Sequence, residues 1–422
     1  MTCGSIARPW TAALMIAMTS AAAGAEVGTA KTLSRIHDPV VLPMSRLAVL
    51  PERQTRDLHL VRVEHGQPVP IPFQFDQRDT KGDPVIDGPS DFVCDDNDEL
   101  VFMAKDTGER TDRDLWPRTC DAVVELAVVD RLRNQRGWAY LLHCPGVAPA
   151  PTPKPYVVYD RATNQARSSF YEVDYAATRN YFTGMRIGDG NGMLSPNLLR
   201  QTAMRGSPTF SMLFTTVTLE FTEQTSIVAI EGVKNGPVRA VRRVKLSVDL
   251  GPLFPDLPSG TAYTYHYLSS LMTPTRFGVP GLALRILRDF DFESVVDFDP
   301  RAMPMRYWDA ANPAGVALDH PDGSVVAGVD HTWWVHSGAA GAVLHALQIP
   351  ERWREWGVVR GSVVRQNAAG ISLLNMTGLR EGGAYDLLQT TVVLPHPYQP
   401  GDEAEPMAMV EAPLQTEIRR VR

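Results

Sequence analysis

The sequence predicts a mainly β protein: a small N-terminal β-sandwich followed by a large antiparallel, supersandwich-like β-sandwich. Three observations carry this. Alternating or β-branched runs recur along most of the chain, 33 prolines and 32 glycines punctuate them, and helix signals are scarce.

In chain order, residues 1–25 read as a signal peptide. Arg8 supplies the positive start, 11–23 form a short apolar run, and Ala23-Gly24-Ala25 gives the small-x-small pattern, so cleavage is expected before Glu26. The apolar run falls short of the roughly 20 residues a membrane anchor needs. Cys3 lies upstream of it, where a lipidation cysteine would not be. No later stretch approaches an anchor's length, so a periplasmic or secreted protein with no transmembrane anchor is expected.

Strands are expected over 57–64, 100–103, 122–129, 138–143, 214–221, 226–231, 238–250, 261–268, 282–292, 332–336, 341–348 and 387–394. Ser195-Pro196 reads as an N-cap followed by proline at the first helical position, and 350–356 as a second short helix. The proline-rich 146–155 denies donors to any sheet and is expected to be a linker. It separates an N-terminal sandwich over 26–145 from a C-terminal one over 156–422; the competing reading is an edge loop within one domain. Asn235-Gly236, after Lys234, reads as a tight turn needing positive φ values.

The 41 basic and 48 acidic residues give a net charge of −7, and loss of Arg8 with the leader makes it −8. That sign argues against nucleic acid as a partner, since phosphate binding needs a basic patch. Three cysteines follow the leader. Folding 120–130 and 136–144 about the polar 130–134 places Cys120 near Cys144 on one face, which permits a disulfide in an oxidising compartment. Cys94 with Cys120, or three reduced buried thiols, are the alternatives.

Several constellations could carry chemistry. The acidic stretch from Asp76 to Asp98 includes Asp91, Asp95 and Asp96; with Asp98 these are candidate Ca²⁺ ligands. The spacing does not match a calcium loop, and a solvated acidic loop is the plainer reading. No other cofactor is indicated. Asp289, Asp291 and Glu293 alternate with Phe290 and Phe292 and could supply the paired carboxylates of glycoside hydrolysis, or an exposed polar strand face.

Along 238–250, Arg239 and Arg243 share a basic face suited to carboxylate or sulfate groups, while Arg242 interrupts the apolar face. Tyr263, Tyr265 and Tyr267 share one face of their strand, with Thr264 and His266 on the other. Trp334 shares a face with His336, and Trp333 takes the opposite one. Aromatic surfaces edged by hydroxyls and imidazoles suit sugars, and His266, His336 and Tyr265 are candidate proton-transfer groups. Cross-strand or core packing is the competing reading. No zinc spacing, nucleophile elbow or phosphate-binding loop occurs in the sequence.

The phrases GPVRAVRRVKLSVDLG (236–251), DNDELVFMAKDTGE (96–109) and GDEAEPMAMVEAPLQTEI (401–418) resemble segments of secreted bacterial proteins of unknown function, and some are similar to galactose-mutarotase-like supersandwich domains. That resemblance implies a large antiparallel sandwich with a concave, carbohydrate-binding or carbohydrate-processing face. It rests on strand-and-turn phrases, so no family residue is carried over.

The functional expectation is recognition of a carbohydrate or similar cell-envelope ligand through an aromatic sheet face. The alternatives are a polysaccharide lyase, hydrolase or epimerase on the same scaffold, and an accessory envelope protein that binds other proteins by its edge strands. A common hollow holding Tyr265, His266, Trp334 and His336 is expected.

Overall fold

The computed structural model describes residues 29–422 except 49, 51–53, 87–92, 148–153, 180, 213–214, 219, 249–259, 280, 290–291, 320–324, 328–332 and 374–378. The expected leader, most of the expected linker, Asp91 and Asp291 lie outside the described residues. The chain is mainly β, and the strands paired among the described residues run antiparallel. Among the described residues no helix is long and apolar enough to cross a membrane.

The first half of the molecule packs a three-stranded sheet (Pro39–Pro43, Glu99–Met103, Phe73–Asp76) against a five-stranded one. The hairpin Ala122–Asp130 and Gln135–His143 sits in the larger sheet. Its first strand, AVVELAVVD, is buried at every position, so both faces must be covered. Leu42, Leu60, Phe102, Val124, Leu126 and Leu141 pack on one side, and Trp116, Val123, Trp138 and Tyr140 on the other. The hairpin brings Cys120 and Cys144 together as a disulfide, while Cys94 is buried outside it, in the core of the first half.

The chain's last strand, Gln415–Arg420, returns to this sheet and pairs with Ala122–Asp130. The expected boundary at 156–422 does not express that return. Arg419 anchors it on the buried Glu125 carboxylate at 2.9 Å.

The rest is built on a nine-stranded and a six-stranded sheet, with a four-stranded sheet (Phe182–Ile187, Tyr171–Tyr175, Gln165–Ser168, Val157–Asp160) contributing to the same core. Tyr171, Phe298, Tyr307, Trp334 and Trp353 are the large side chains of that core. In the nine-stranded sheet, Ser226–Asn235, Ala240–Val248, Gly260–His266, Ser270–Val279 and Gly383–Leu394 run side by side, followed by Gly341–Gln348 and Trp333–Gly338.

Local expectations fail in three places. Ser195-Pro196 does not start a helix: the Ser195 hydroxyl accepts from Ile187 N, Asn197 Oδ1 accepts from Met185 N, and Leu198 N donates to the Met185 carbonyl, which pins the segment as extended chain. The expected strand over 282–292 is instead a short helix, Gly281–Ile286, and two strands in different sheets, Leu287–Asp289 and Phe292–Phe298. Gly236 does not adopt positive φ; it is required because a Cβ there would meet Gln74 Oε1 at 2.2 Å. The helix Glu351–Glu355 forms as expected, with Trp353 fully buried.

Gln74 marks the junction between the two halves. Its Oε1 accepts from the backbone N–H groups of Val238 and Arg239 at 3.0 and 2.9 Å. The Arg239 guanidinium reaches Asp76 at 2.7 Å, Glu99 at 2.6 Å and the Tyr267 hydroxyl at 3.0 Å, and Lys234 adds a second cation 3.1 Å from Asp76. Burial alone would raise the Asp76 carboxyl, but Arg239, Lys234 and hydrogen bonds from Lys234 and Gln74 outweigh it and hold the group below the ordinary carboxylate range.

Two outcomes are expected. Replacing Cys120 and Cys144 by alanine frees a loop with a 24-residue separation, and calorimetry should show a loss of about 3 kcal/mol. Arg239→Met takes the inner cation from the buried Asp76 and from Glu99, leaving Lys234 and Arg78 as their remaining partners, and should lower stability by about 3 kcal/mol in denaturant titrations. Because the folded Asp76 pKa is depressed, its stabilisation is full above the unfolded value of about 3.9 and is lost as pH falls below it. The variant should therefore begin acid unfolding at higher pH than the wild type.

Candidate functional site

Two-residue alternation puts Tyr263, Tyr265 and Tyr267 on the outer face of the nine-stranded sheet. The register Arg243↔Tyr263 and Val241↔Tyr265 sets the basic residues of the neighbouring strand on the same face. On the other side, Tyr265 is opposite Met272, and Pro274 and Arg276 continue that face towards Leu388 and Asp386. The sheet thus offers a tyrosine stripe between a basic strand and an ion-paired edge.

A groove of about 990 Å³ lies over this stripe, closed on one side by Arg78, Asp83 and Glu99 from the first half of the molecule. Tyr263 and Tyr265 stack with ring centroids 6.4 Å apart and planes 24° from parallel. Arg239 lies 4.7 Å from the Tyr265 ring centroid, a cation–π contact that orients the ring. Burial first, and then Asp83, raises the Tyr263 phenol to about 12, so it is a neutral hydroxyl near pH 7. Glu99 is clamped between Arg78 and Arg239, each at 2.6 Å. Arg276 and Asp386 are highly exposed at the rim, 3.5 Å apart.

Of the sequence candidates, the fold brings Tyr263, Tyr265, Arg239 and Arg243 to one face. Arg239 is only 2% exposed and serves chiefly as the junction ion, and Arg243 is paired with Glu231 at 2.9 Å. Trp333 shares the outer face but packs under the helix Ala404–Glu411 with Val335, Leu344, Val392 and Met409, with three strands between its own and that of Tyr265. Trp334 faces the core.

The expected common hollow does not form, because Tyr265 faces the groove while His266, Trp334 and His336 face the interior. His266 is fully buried between the Tyr171 hydroxyl at 3.3 Å and the Tyr175 hydroxyl at 2.9 Å. Burial, reinforced by Arg242, lowers its pKa to about 3. Burial also lowers His336 to about 4, against a small opposing effect of its bond to the Ala369 carbonyl. Both are neutral near pH 7 and lie away from the groove, which removes the geometry for proton transfer to a ligand bound there.

The carboxylates also separate. Asp289 is exposed on a second three-stranded sheet, formed by Thr215–Thr218, Thr209–Met212 and Leu287–Asp289, whereas Glu293 lies in the six-stranded sheet, paired with Arg365 at 2.7 and 2.9 Å. Asp98 is buried and accepts from the backbone N–H groups of Arg78 and Asp95. Asp95 and Asp96 are exposed turn residues. Among the described residues, no three His, Cys, Asp or Glu are grouped to hold a metal ion.

Sequence reasoning undervalued Arg242. It is 1% exposed, its Nε donates to the Tyr159 hydroxyl at 3.0 Å, and its guanidinium lies 4.1 Å from the Tyr175 ring centroid. The interrupted apolar face was the signal: a cation on a core-facing position must find partners inside.

No family model and no curated protein matches this chain. Among solved structures it is similar to a protein in the glycosyl hydrolase family 38 from Enterococcus faecalis, with 9% identity and a TM-score of 0.46 over 93% of this chain and 47% of that one. It is also similar to an alpha-mannosidase from Enterococcus faecalis V583, with 10% identity and a TM-score of 0.47 over 92% of this chain and 45% of that one. The chain spans about half the length of either structure.

The depressed histidines set a pH dependence. His266 and His336 titrate well below the unfolded value of about 6.5, and His345 is lowered in the same direction by burial and by His336. Their contribution to stability is complete above about pH 6.5 and is lost as pH falls. Unfolding near pH 5 should take up about three protons from these groups. Melting temperature against pH measures this, and His336→Gln should remove about one proton from the slope.

Proposed function

We propose that the protein is a binding protein whose ligand is a carbohydrate or a chemically similar polyhydroxylated component of the cell envelope, held in the groove over Tyr263 and Tyr265. The observation that carries this reading is the stacked tyrosine pair lining an open groove, with charges of both signs around it. Sugar rings present apolar C–H faces that stack on aromatic side chains and hydroxyls that bond to charged and phenolic groups. The groove also lies where the two halves meet, a preferred location for ligand sites.

Binding is favoured over turnover because Glu99 is held by two arginines, Asp386 is paired with Arg276, and Asp83 lies against the Tyr263 phenol. An enzyme on this scaffold would need an uncommitted proton donor facing the groove, and the two histidines singled out by the sequence face elsewhere.

A glycan array probed with the purified chain should give retention on at least one polysaccharide. Tyr263→Ala should weaken that binding about tenfold through loss of the stacking contact, and Arg276→Ala, at the exposed rim, should weaken it by a smaller factor. Absence of any retained glycan, or unchanged affinity in both folded variants, would sink this reading.

A further inference from the structure

A cavity lies inside the molecule, on the opposite face of the same sheet. It measures about 180 Å³ and opens between the nine-stranded and six-stranded sheets. Phe298, Trp334 and Val343 form much of its apolar wall, while His336, His345 and Gln389 add polar groups. Tyr181 and Thr202, both only half-buried, mark the side nearest solvent. For scale, an apolar cavity of about 150 Å³ accepts a benzene ring.

The polar groups are arranged with opposite hydrogen-bonding sense. The His336 Nε2 lies 3.1 Å from the Ala369 carbonyl, which can only accept, so this neutral ring carries its proton on Nε2. Its Nδ1 is then an acceptor, and that buried atom has no partner. At His345 the Nδ1 lies 3.0 Å from the Thr391 hydroxyl and 3.4 Å from the Gln389 amide nitrogen, which donates. Its proton therefore belongs on Nε2, a buried donor that also has no partner. The two rings are 5.4 Å apart, and both residues are more than nine-tenths buried.

An unpartnered acceptor and an unpartnered donor on rings 5.4 Å apart match a hydroxyl group, which gives one hydrogen bond and receives another. Trp334 stacks on His345 at 4.9 Å with planes 16° apart, which fixes both rings, and Trp334, Phe298 and Val343 give the cavity an apolar lining suited to a ring. A charged ligand is disfavoured, since an unpaired ion in such surroundings loses its hydration without a counter-charge. We propose that this cavity is a binding site for a small neutral hydroxylated aromatic of the phenol class, with its hydroxyl bonded to His336 Nδ1 and His345 Nε2 and its ring in the apolar lining of Phe298, Trp334 and Val343. This inference does not depend on the ligand proposed for the outer groove.

The test uses the full chain with phenol and toluene as probes, matched in size and differing in the hydroxyl. Phenol should bind saturably by calorimetry and raise the melting temperature, with toluene at least about tenfold weaker. The paired variants His336→Leu and His345→Phe should bring the phenol-to-toluene ratio close to one while toluene still binds, an outcome that loss of folding would not produce. A second measurement needs no variant: 4-fluorophenol should give a bound fluorine resonance that phenol displaces and that glycans do not. No saturable phenol binding to the folded wild type, equal affinity for the two probes, or a hydroxyl preference that survives both substitutions would each overturn the proposal.

Discussion

The arrangement of the molecule depends on one buried ionic cluster. Arg239 is shared by Asp76, Glu99 and the Tyr267 hydroxyl, and Gln74 holds the backbone that carries Arg239. Ions removed from water are costly unless their geometry and hydrogen bonds are complete, so the cluster fixes how the first three-stranded sheet meets the large one. Gly236 has no side chain because Gln74 occupies that space. The same docking brings Arg78 and Asp83 over the tyrosine stripe, so the groove is a by-product of this junction.

The two faces of the nine-stranded sheet then have different chemistry. Outside, the tyrosines lie between the buried Arg239 and the exposed Arg276 and Asp386. Inside, three histidines are held neutral by burial, with tyrosines, Trp334 and Arg242 around them. Adjacent residues such as Tyr265 and His266 serve these two environments separately, as the pleat requires.

Much of this was legible in the sequence, because period-two alternation is a local property. It separated Tyr263 and Tyr265 from His266, and Trp333 from Trp334, and the polar loop after Asp130 located the hairpin that joins Cys120 to Cys144. Sheet order is not local, and alternation alone could not say that Trp333 lies several strands from Tyr265 or that Arg243 stands opposite Tyr263. The acidic stretch misleads for the same reason. Asp76 reads as one of many solvated carboxylates until its partner, 163 positions away, is known. The return of Gln415–Arg420 to the first sheet is likewise a long-range pairing that no nearby residue announces.

The central claim is that the junction groove, organised by Arg239, is where a polyhydroxylated ligand sits. Hydrogen exchange of the full chain, with and without a glycan it retains, tests this most directly. Slowed exchange confined to 78–84, 99, 261–267, 272–276, 348–350 and 384–388 is the expected footprint. Protection elsewhere, with those segments unchanged, would contradict it.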